Sequence, residues 1–189
     1  LVATVLSFAS LTAGDHVLDL YGGVGLFAGA ALNDIGPGGR IDIVEGSASA
    51  TKDAAFNFAD VSNVNIHTGD VAREIKKFKR ADVIILDPPR TGAGKDVIER
   101  IATLGARSIV YVACDPAALA RDTTYLNEIG YHLEPDINSL IDAMESILFK
   151  NGNITENEKI EHEIYKNNFT TNKIAKSYLM KFIEKTNRY

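Results

Sequence analysis

The chain has 189 residues, of which 46% are hydrophobic and 24% are charged. This length and composition are typical of one globular domain and exclude a disordered, collagen-like or coiled-coil protein. A single cysteine cannot form an internal disulfide, which excludes a disulfide-stabilised secreted scaffold. No apolar run approaches the roughly 20 residues that a membrane span needs. We therefore expect a cytoplasmic protein that does not associate with membranes.

The first residues, LVATVLSFASLTAG, are apolar and end in small side chains, as signal peptides do. They contain no basic residue, whereas a signal peptide begins with a positively charged region. We predict a helix here that leads into the first strand.

Between Asp15 and Lys150, short apolar runs alternate with segments of helix length. The predicted strands are His16–Leu20, Ile41–Val44, Val64–His67, Val83–Leu86, Ser108–Ala113, Tyr131–Glu134 and Ser146–Phe149. The predicted helices are Ser47–Ala59, Val71–Lys77, Asp96–Leu104 and Pro116–Glu128. Such alternation indicates a parallel sheet with helices on both faces. We predict an α/β protein of Rossmann-like fold with a mostly parallel, seven-stranded sheet.

Charge and composition separate an acidic body from a basic tail. Before Lys150 there are 12 basic and 20 acidic residues, and from Lys150 onward there are 8 basic and 5 acidic ones. We predict a domain over residues 1–149 and a tail over residues 150–189. The tail is expected to be partly helical, capped by Thr171, because five apolar residues fall on one helical face. These are Ile174, Tyr178, Leu179, Phe182 and Ile183.

A glycine-rich loop follows the first predicted strand. Gly22, Gly23 and Gly25 allow a ligand close to the backbone, and the following helix offers free N–H groups. Glu45 ends the second strand, where an acidic residue commonly binds a ribose hydroxyl. This pattern fits either a nicotinamide cofactor or S-adenosylmethionine (SAM). Asp19, within the strand before the glycines, favours SAM.

Three further acidic or nucleophilic positions follow the strands. Asp70 either contacts an adenine ring or caps the helix that begins at Val71. Asp87 and Cys114 follow the fourth and fifth strands, and ligands bind at this end of a parallel sheet. A lone cysteine is often a small core residue, but this one lies just before a helix, whose N-terminus favours a nucleophilic thiolate.

Four motifs occur in an order that is similar to the catalytic domain of the SAM-dependent RNA 5-methyluridine methyltransferases. The resemblance covers roughly residues 15–150, and the second and third motifs are the most specific. The motifs are DLYGGVGLF, LDPPRTG, YVACDPAALARD and a late glutamate in MESILF.

The resemblance implies a class I SAM-dependent methyltransferase fold, SAM as cofactor, tRNA or rRNA as substrate, and no metal. In the family a cysteine thiolate adds to C6 of uracil, C5 takes the methyl group, and a base removes the C5 proton. Cys114 would be the nucleophile and Glu145 the base. The implied cofactor-binding residues are Asp19, Tyr21, Gly23, Gly25, Leu26, Glu45, Asp70 and Asp87. The implied substrate-binding or supporting residues are Arg90, Arg121 and Asp122, the last two as supports of the cysteine loop or as a surface pair on a helix.

The sequence departs from the family in four places, the mildest being Gly22, where the family often has cysteine or alanine. The auxiliary RNA-binding domain of the family would precede Leu1, and the tail after Lys150 resembles nothing in the family. The F-P-x-T-x-H part of the segment before Glu145 is missing. We therefore expect SAM binding to be better preserved than catalysis.

Three alternatives remain at this point. A methyltransferase acting on base nitrogens would have an aromatic residue after its two prolines, where this chain has Arg90. A nicotinamide-dependent oxidoreductase would account for the glycine loop and Glu45. A non-catalytic nucleotide-binding domain would account for the departures from the family.

Overall fold

A computed structural model of the chain describes residues 1–128, 131–133 and 178–184. The strands are β1 His16–Leu20, β2 Arg40–Glu45, β3 Val64–Thr68, β4 Val83–Leu86, β5 Ser108–Ala113, β6 Tyr131–Leu133 and β7 Tyr178–Glu184. The helices are α1 Val2–Ala9, α2 Leu26–Ile35, α3 Ala48–Asn57, α4 Val71–Glu74 with a 3-10 turn at Ile75–Lys77, α5 Lys95–Ala102 and α6 Pro116–Glu128. None of these helices within residues 1–128 combines the length and apolarity that crossing a membrane requires.

The described strands form one sheet in the order β3-β2-β1-β4-β5-β7-β6. The first five strands are parallel, and β7 pairs antiparallel with both β5 and β6. The mostly parallel sheet of Rossmann-like fold predicted from the sequence is thereby confirmed, whereas its seventh strand is β7 and not the predicted Ser146–Phe149. Every residue of β4 and of β5 is buried, as expected for central strands covered on both faces.

Side-chain alternation along the strands produces two apolar cores, one on each face of the sheet. On one face, Leu18 and Leu20 of β1 pack with residues of α4, α5 and α6. On the other face, Val17 packs with residues of α1 and α2. Asp19 has the same parity as Val17 and is therefore directed toward the α2 face.

The helix predicted over residues 178–183 is wrong, because these residues form β7. The run YLMKFIE is short, and its apolar positions satisfy both the helical and the strand period. Its aromatic and β-branched residues favour a strand, and the exposed edge of β5 supplies the hydrogen-bonding partner. Ile174, Thr171 and the strand predicted over Ser146–Phe149 lie outside the described residues, and the domain boundary at residue 150 stays a prediction.

A buried carboxylate in β2 joins the first three strands. Asp42 Oδ2 lies 2.7 Å from His16 Nε2 and 2.9 Å from Arg40 Nε, and Asp42 Oδ1 lies 2.8 Å from His67 Nε2. The ring of Phe78 contacts both imidazoles. Although burial opposes ionisation, hydrogen bonds from the two histidines and the charge of Arg40 lower the pKa of Asp42 to about 2.

We predict that Asp42→Asn lowers the free energy of unfolding by about 2 kcal/mol at neutral pH, the value that corresponds to a pKa lowered from 3.8 to about 2. A lowered pKa stabilises the folded state above the unfolded value and loses this effect as the pH falls toward the folded value. The difference between wild type and variant should therefore shrink as the pH decreases from 3.8 toward 2. Urea unfolding measured across this range tests the prediction, with the exposed Asp53→Asn on α3 as control. A difference that does not change with pH would contradict it.

Candidate active site

The loops after β1, β4 and β5 meet at one edge of the sheet. In the strand register, Leu20 lies beside Leu86, and Leu86 lies beside Tyr111. The glycine loop, the Asp87-Pro88-Pro89-Arg90 segment and Cys114 therefore extend from the same carboxyl edge. This is where a ligand binds in an open parallel sheet.

Asp19 is the most unusual group at this edge, because it is a carboxylate with 1% exposure. Its Oδ2 accepts a hydrogen bond from the Ala28 amide at 3.0 Å, whereas its Oδ1 has no hydrogen-bond partner among the described residues. Burial raises the pKa of Asp19 to about 7, and the nearby carboxylates of Asp87 and Glu45 add to this effect. The free oxygen is thus available to a ligand that donates hydrogen bonds or carries positive charge.

Glu45 connects the glycine loop to the start of α3. Its Oε2 accepts from the Gly23 amide at 3.0 Å, and its Oε1 accepts from the Ser47 amide at 2.6 Å. The sequence indicated Glu45 as a ribose-binding residue but did not indicate these two backbone contacts. Each carboxylate oxygen can accept a further hydrogen bond, so the contacts are compatible with ligand binding.

The glycines of the loop are required for different reasons. Gly25 has φ +89°, and a Cβ atom there would overlap the ring of Phe58 and lie 3.1 Å from Ile43 Cδ1. Gly23 has φ +57°, but no atom lies within 4 Å of the place where its Cβ would be. Gly25 therefore allows the loop to pack on the protein, whereas Gly23 faces open space in which a ligand fits.

The remaining residues around this loop differ in exposure and role. Leu26, the first residue of α2, is 58% exposed. Tyr21 has φ +59° and is partly buried, and burial together with the charges of Asp70 and Asp122 raises its pKa to about 12. Asp70 caps α4 by accepting from the Arg73 amide at 3.1 Å. The helix-cap interpretation of Asp70 is confirmed, and its contact with an adenine ring stays a prediction.

Cys114 is exposed and lies in a small cleft opposite the segment that follows β4. The cleft is lined by Pro88, Pro89, Gly92, Tyr111, Ala113, Cys114, Asp115 and Ala118. Asp115 caps α6, since its Oδ1 accepts from the amides of Ala117 at 3.0 Å and Ala118 at 2.9 Å. These first amides of α6 are thus bound by Asp115 rather than directed at the thiol. Arg90 and Asp87 are exposed beside the cleft.

Arg121 and Asp122 lie next to one another on α6 but have different surroundings. Asp122 is fully buried, so the interpretation of the pair as a surface pair is wrong for this residue. Its Oδ2 accepts from the Ala93 amide at 2.7 Å and from the Tyr111 hydroxyl at 2.8 Å. Arg121 is exposed and donates to the Thr91 carbonyl. Both residues therefore contact the loop after β4 rather than the loop that carries Cys114.

Sequence analysis missed one residue of this site, Tyr111. A buried tyrosine usually places its hydroxyl against a partner, so the single hydroxyl-bearing side chain in the middle of the apolar run SIVYVA was the available signal. The predicted base, Glu145, lies outside the described residues. In residues 1–128, 131–133 and 178–184, no group of three or more His, Cys, Asp or Glu side chains could hold a metal ion.

Comparison with protein families decides the class of this site. Residues 2–109, more than half of the chain, match the family described as the methyltransferase small domain. The chain belongs to this family. Its membership favours the methyltransferase interpretation of the glycine loop over the nicotinamide-dependent one.

Curated relatives and a solved structure agree with this membership. The chain is 48% identical over 120 residues to an uncharacterized RNA methyltransferase of Streptomyces avermitilis, which covers 62% of the chain and 28% of that protein. It is 38% identical over 130 residues to the 23S rRNA (uracil(1939)-C(5))-methyltransferase RlmD of Acinetobacter baylyi, which covers 66% of the chain and 28% of that protein. The chain thus spans less than a third of the length of these relatives.

The structure is also similar to that of the Pyrococcus abyssi tRNA (uracil-54, C5)-methyltransferase in complex with S-adenosyl-L-homocysteine. The TM-score is 0.57 at 26% identity, over 70% of this chain and 32% of that one. The site itself fits SAM, the cofactor predicted from the sequence. Asp19 offers a buried, unpaired oxygen, Gly23 faces open space, and Glu45 has acceptor capacity beside both.

The two reasons for glycine in this region can be separated by substitution. We predict that Gly25→Ala lowers the free energy of unfolding by about 1–3 kcal/mol more than Gly105→Ala, because only the first introduces an overlap. Gly105 also has positive φ, at +65°, but no atom lies within 4 Å of its added Cβ. Its substitution should cost only the backbone strain of a positive φ, about 1–2 kcal/mol. Equal losses in chemical denaturation of the two variants would contradict the packing role of Gly25.

Proposed function

We propose that this chain is the catalytic part of a SAM-dependent RNA methyltransferase that methylates C5 of uridine in tRNA or rRNA. The observation that carries the proposal is the arrangement of Asp19 and Cys114 at one edge of the sheet. A buried carboxylate with a free oxygen lies near the carboxyl end of β1, and an exposed thiol lies after β5, with the Asp-Pro-Pro-Arg segment after the intervening strand β4. The family and the names of the relatives support the same class of reaction.

When bound, SAM would supply the methyl group: the bond from its sulfonium sulfur to the methyl carbon would break, and S-adenosylhomocysteine would leave with the electron pair on a neutral thioether sulfur. Asp19 accepts hydrogen bonds from the donor groups of the cofactor and balances their positive charge. Glu45 orients the glycine loop through the Gly23 amide and accepts from ribose hydroxyls. Gly23 keeps open the space that the cofactor occupies.

Cys114 carries the chemistry on the substrate. Its thiolate sulfur forms a bond to C6 of uracil, and the electron pair of the C5–C6 double bond makes C5 nucleophilic. C5 takes the methyl group, and Glu145 removes the C5 proton. The electrons of the broken C5–H bond then restore the double bond as the carbon–sulfur bond breaks, which regenerates the thiolate. Both Asp87 and Arg90 are exposed beside the cleft. Asp87 holds the SAM or the uracil end of the site, and Arg90 holds the uracil.

Asp19→Asn separates cofactor binding from folding. The asparagine keeps an acceptor for the Ala28 amide but removes the buried charge. Because the pKa of Asp19 is raised from 3.8 to about 7, its ionisation destabilises the folded state as the pH rises through this range. We therefore expect the variant to be at least as stable as wild type at about pH 8, yet to bind SAM about tenfold or more weakly, since a charge-assisted hydrogen bond is lost.

Calorimetric titration of SAM into both proteins, together with thermal unfolding, tests this prediction. Asp53→Asn on the exposed face of α3 is the matched control. Equal SAM affinities of wild type and Asp19→Asn would contradict the role of Asp19. NADH binding in place of SAM binding would contradict the proposed class of reaction.

The position of methylation and the role of Cys114 are tested together with RNA that carries tritium at C5 of its uridines. If C5 is methylated, tritium appears in water in the same amount as methyl groups appear in RNA. Cys114→Ala should lower both rates by on the order of a thousandfold or more, because the covalent route is closed. Thr124→Ala on the exposed face of α6 is the control. Methyl transfer without tritium release, or methyl transfer by Cys114→Ala, would contradict the proposal.

A further inference from the structure

Asp122 is a buried acidic residue whose partners belong to other elements. Its Oδ2 accepts three hydrogen bonds, from the Ala93 amide at 2.7 Å, the Gly94 amide at 3.3 Å and the Tyr111 hydroxyl at 2.8 Å. The Ala93 amide also lies 3.3 Å from the Tyr111 hydroxyl. One carboxylate thus joins α6, the centre of β5 and the loop between β4 and α5.

Gly92 brings this loop into direct contact with α6. A Cβ at Gly92 would lie 2.6 Å from Asp122 Oδ2 and 2.7 Å from Arg121 Nη2, and the residue has φ +82°. Arg121 additionally donates to the Thr91 carbonyl. Residues 91–94 are therefore held at four consecutive positions, and no larger side chain than that of glycine fits at residue 92.

The same loop forms one wall of the cleft at Cys114. Pro88, Pro89 and Gly92 line this cleft from the side of β4, and Tyr111 lines it from below. Pro89 and Gly92 are themselves joined by a turn, since the Gly92 amide donates to the Pro89 carbonyl at 2.8 Å. The position of the wall is thus coupled through Gly92 to the hydrogen bonds of Asp122.

Loss of the Asp122 carboxylate would leave the hydrogen bonds of the wall unmade. The Ala93 and Gly94 amides and the buried Tyr111 hydroxyl would lose the oxygen that accepts their hydrogen bonds. Unpaired groups of this kind are satisfied by water, which requires the loop to move away from α6. The expected result is an open loop on an otherwise intact sheet.

We propose that Asp122 is a positioning residue for the nucleophile: through Ala93, Gly94 and Tyr111 it holds the Pro88–Gly92 wall opposite the Cys114 thiol and so determines which molecules reach the sulfur. The inference rests on the proposed function in taking Cys114 as the nucleophile. The position of the wall itself is measured without RNA or SAM, so the two proposals fail separately.

The single cysteine of the chain makes its alkylation a direct probe of the wall. The rate constants of Cys114 with iodoacetamide and with a bulky N-aryl maleimide are measured at several pH values and well below the unfolding temperature. In Asp122→Ala the ratio of the maleimide rate to the iodoacetamide rate should rise about tenfold, because hydrogen bonds to a charged group no longer hold the loop closed. Both reagents react with the thiolate, so the ratio of their rates does not depend on the fraction of Cys114 that is ionised. A ratio that stays constant across the pH values verifies this.

Conservative and matched variants distinguish positioning from general stability. Asp122→Asn retains an oxygen that accepts from both amides and from Tyr111, so its ratio should stay within about threefold of wild type. Tyr111→Phe removes one of the hydrogen bonds and should raise the ratio to an intermediate value. Thr124→Ala, elsewhere on α6 and exposed, should leave it unchanged.

The alkylation ratios and unfolding temperatures of these variants either support or overturn the positioning role of Asp122. A raised ratio in Asp122→Ala that is restored in Asp122→Asn supports the positioning role. A lower unfolding temperature with an unchanged ratio would overturn it, because Asp122 would then act on stability alone. If Asp122→Ala does not fold, Tyr111→Phe with an unchanged ratio overturns the proposal in the same way. Absence of methyl transfer by the wild-type chain would count against the proposed function and not against the proposal that Asp122 positions the wall.

Discussion

The burial of the Asp19 carboxylate in the central strand β1 is the constraint on which the site depends. The parallel pairing of β1 with β2 and β4 places its side chain under α2, where 1% of the residue is exposed and one oxygen has a single partner, the Ala28 amide. Asp87 and Glu45 add negative charge nearby. An unpaired charge in such a position opposes folding, and the two apolar cores on either side of the sheet offset this cost. A ligand that donates a hydrogen bond to the free oxygen lowers this free-energy cost.

Three of the four buried carboxylates in the described residues differ in how many hydrogen bonds they accept and in what they do. Asp42, in the middle of β2, is paired with two histidines and an arginine. Asp122 receives two amides and a hydroxyl on one oxygen, and Arg121 lies 3.4 Å from the other. Asp19 receives one amide. Asp42 has partners on both oxygens, whereas Asp122 and Asp19 each have one oxygen without a hydrogen-bond partner among the described residues. The free oxygen of Asp122 lies beside the Arg121 guanidinium, and that of Asp19 lies where a cofactor is expected.

The sequence allowed the sheet and its active edge to be predicted because these features are local. The boundaries of β1, β4 and β5 coincide with the predicted ones, because strands covered on both faces appear in the sequence as short, largely apolar runs. Asp19 and Cys114 were found because each lies within or next to such a run. The glycine loop was found because its positive φ values require glycine.

Features that depend on contacts between residues far apart in the sequence could not be predicted in this way. Asp122 lies 29 residues from Ala93, and nothing local to α6 indicates that its carboxylate binds the loop after β4. The two amides bound by Glu45 depend on how β2 and the glycine loop meet. Residues 178–184 have an ambiguous periodicity, and only the free edge of β5 decides that they form a strand.

The central claim is that the carboxyl edge of β1, β4 and β5 is the cofactor site. Titration of the ¹⁵N-labelled chain with SAM, followed by amide chemical shifts, tests this claim residue by residue. We predict saturable shifts at Gly23, Gly25 and Asp87, and unchanged shifts at Arg40 and Arg107, which lie at the opposite edge of the sheet. Shifts at the opposite edge, or an unchanged spectrum at saturating SAM, would contradict the account.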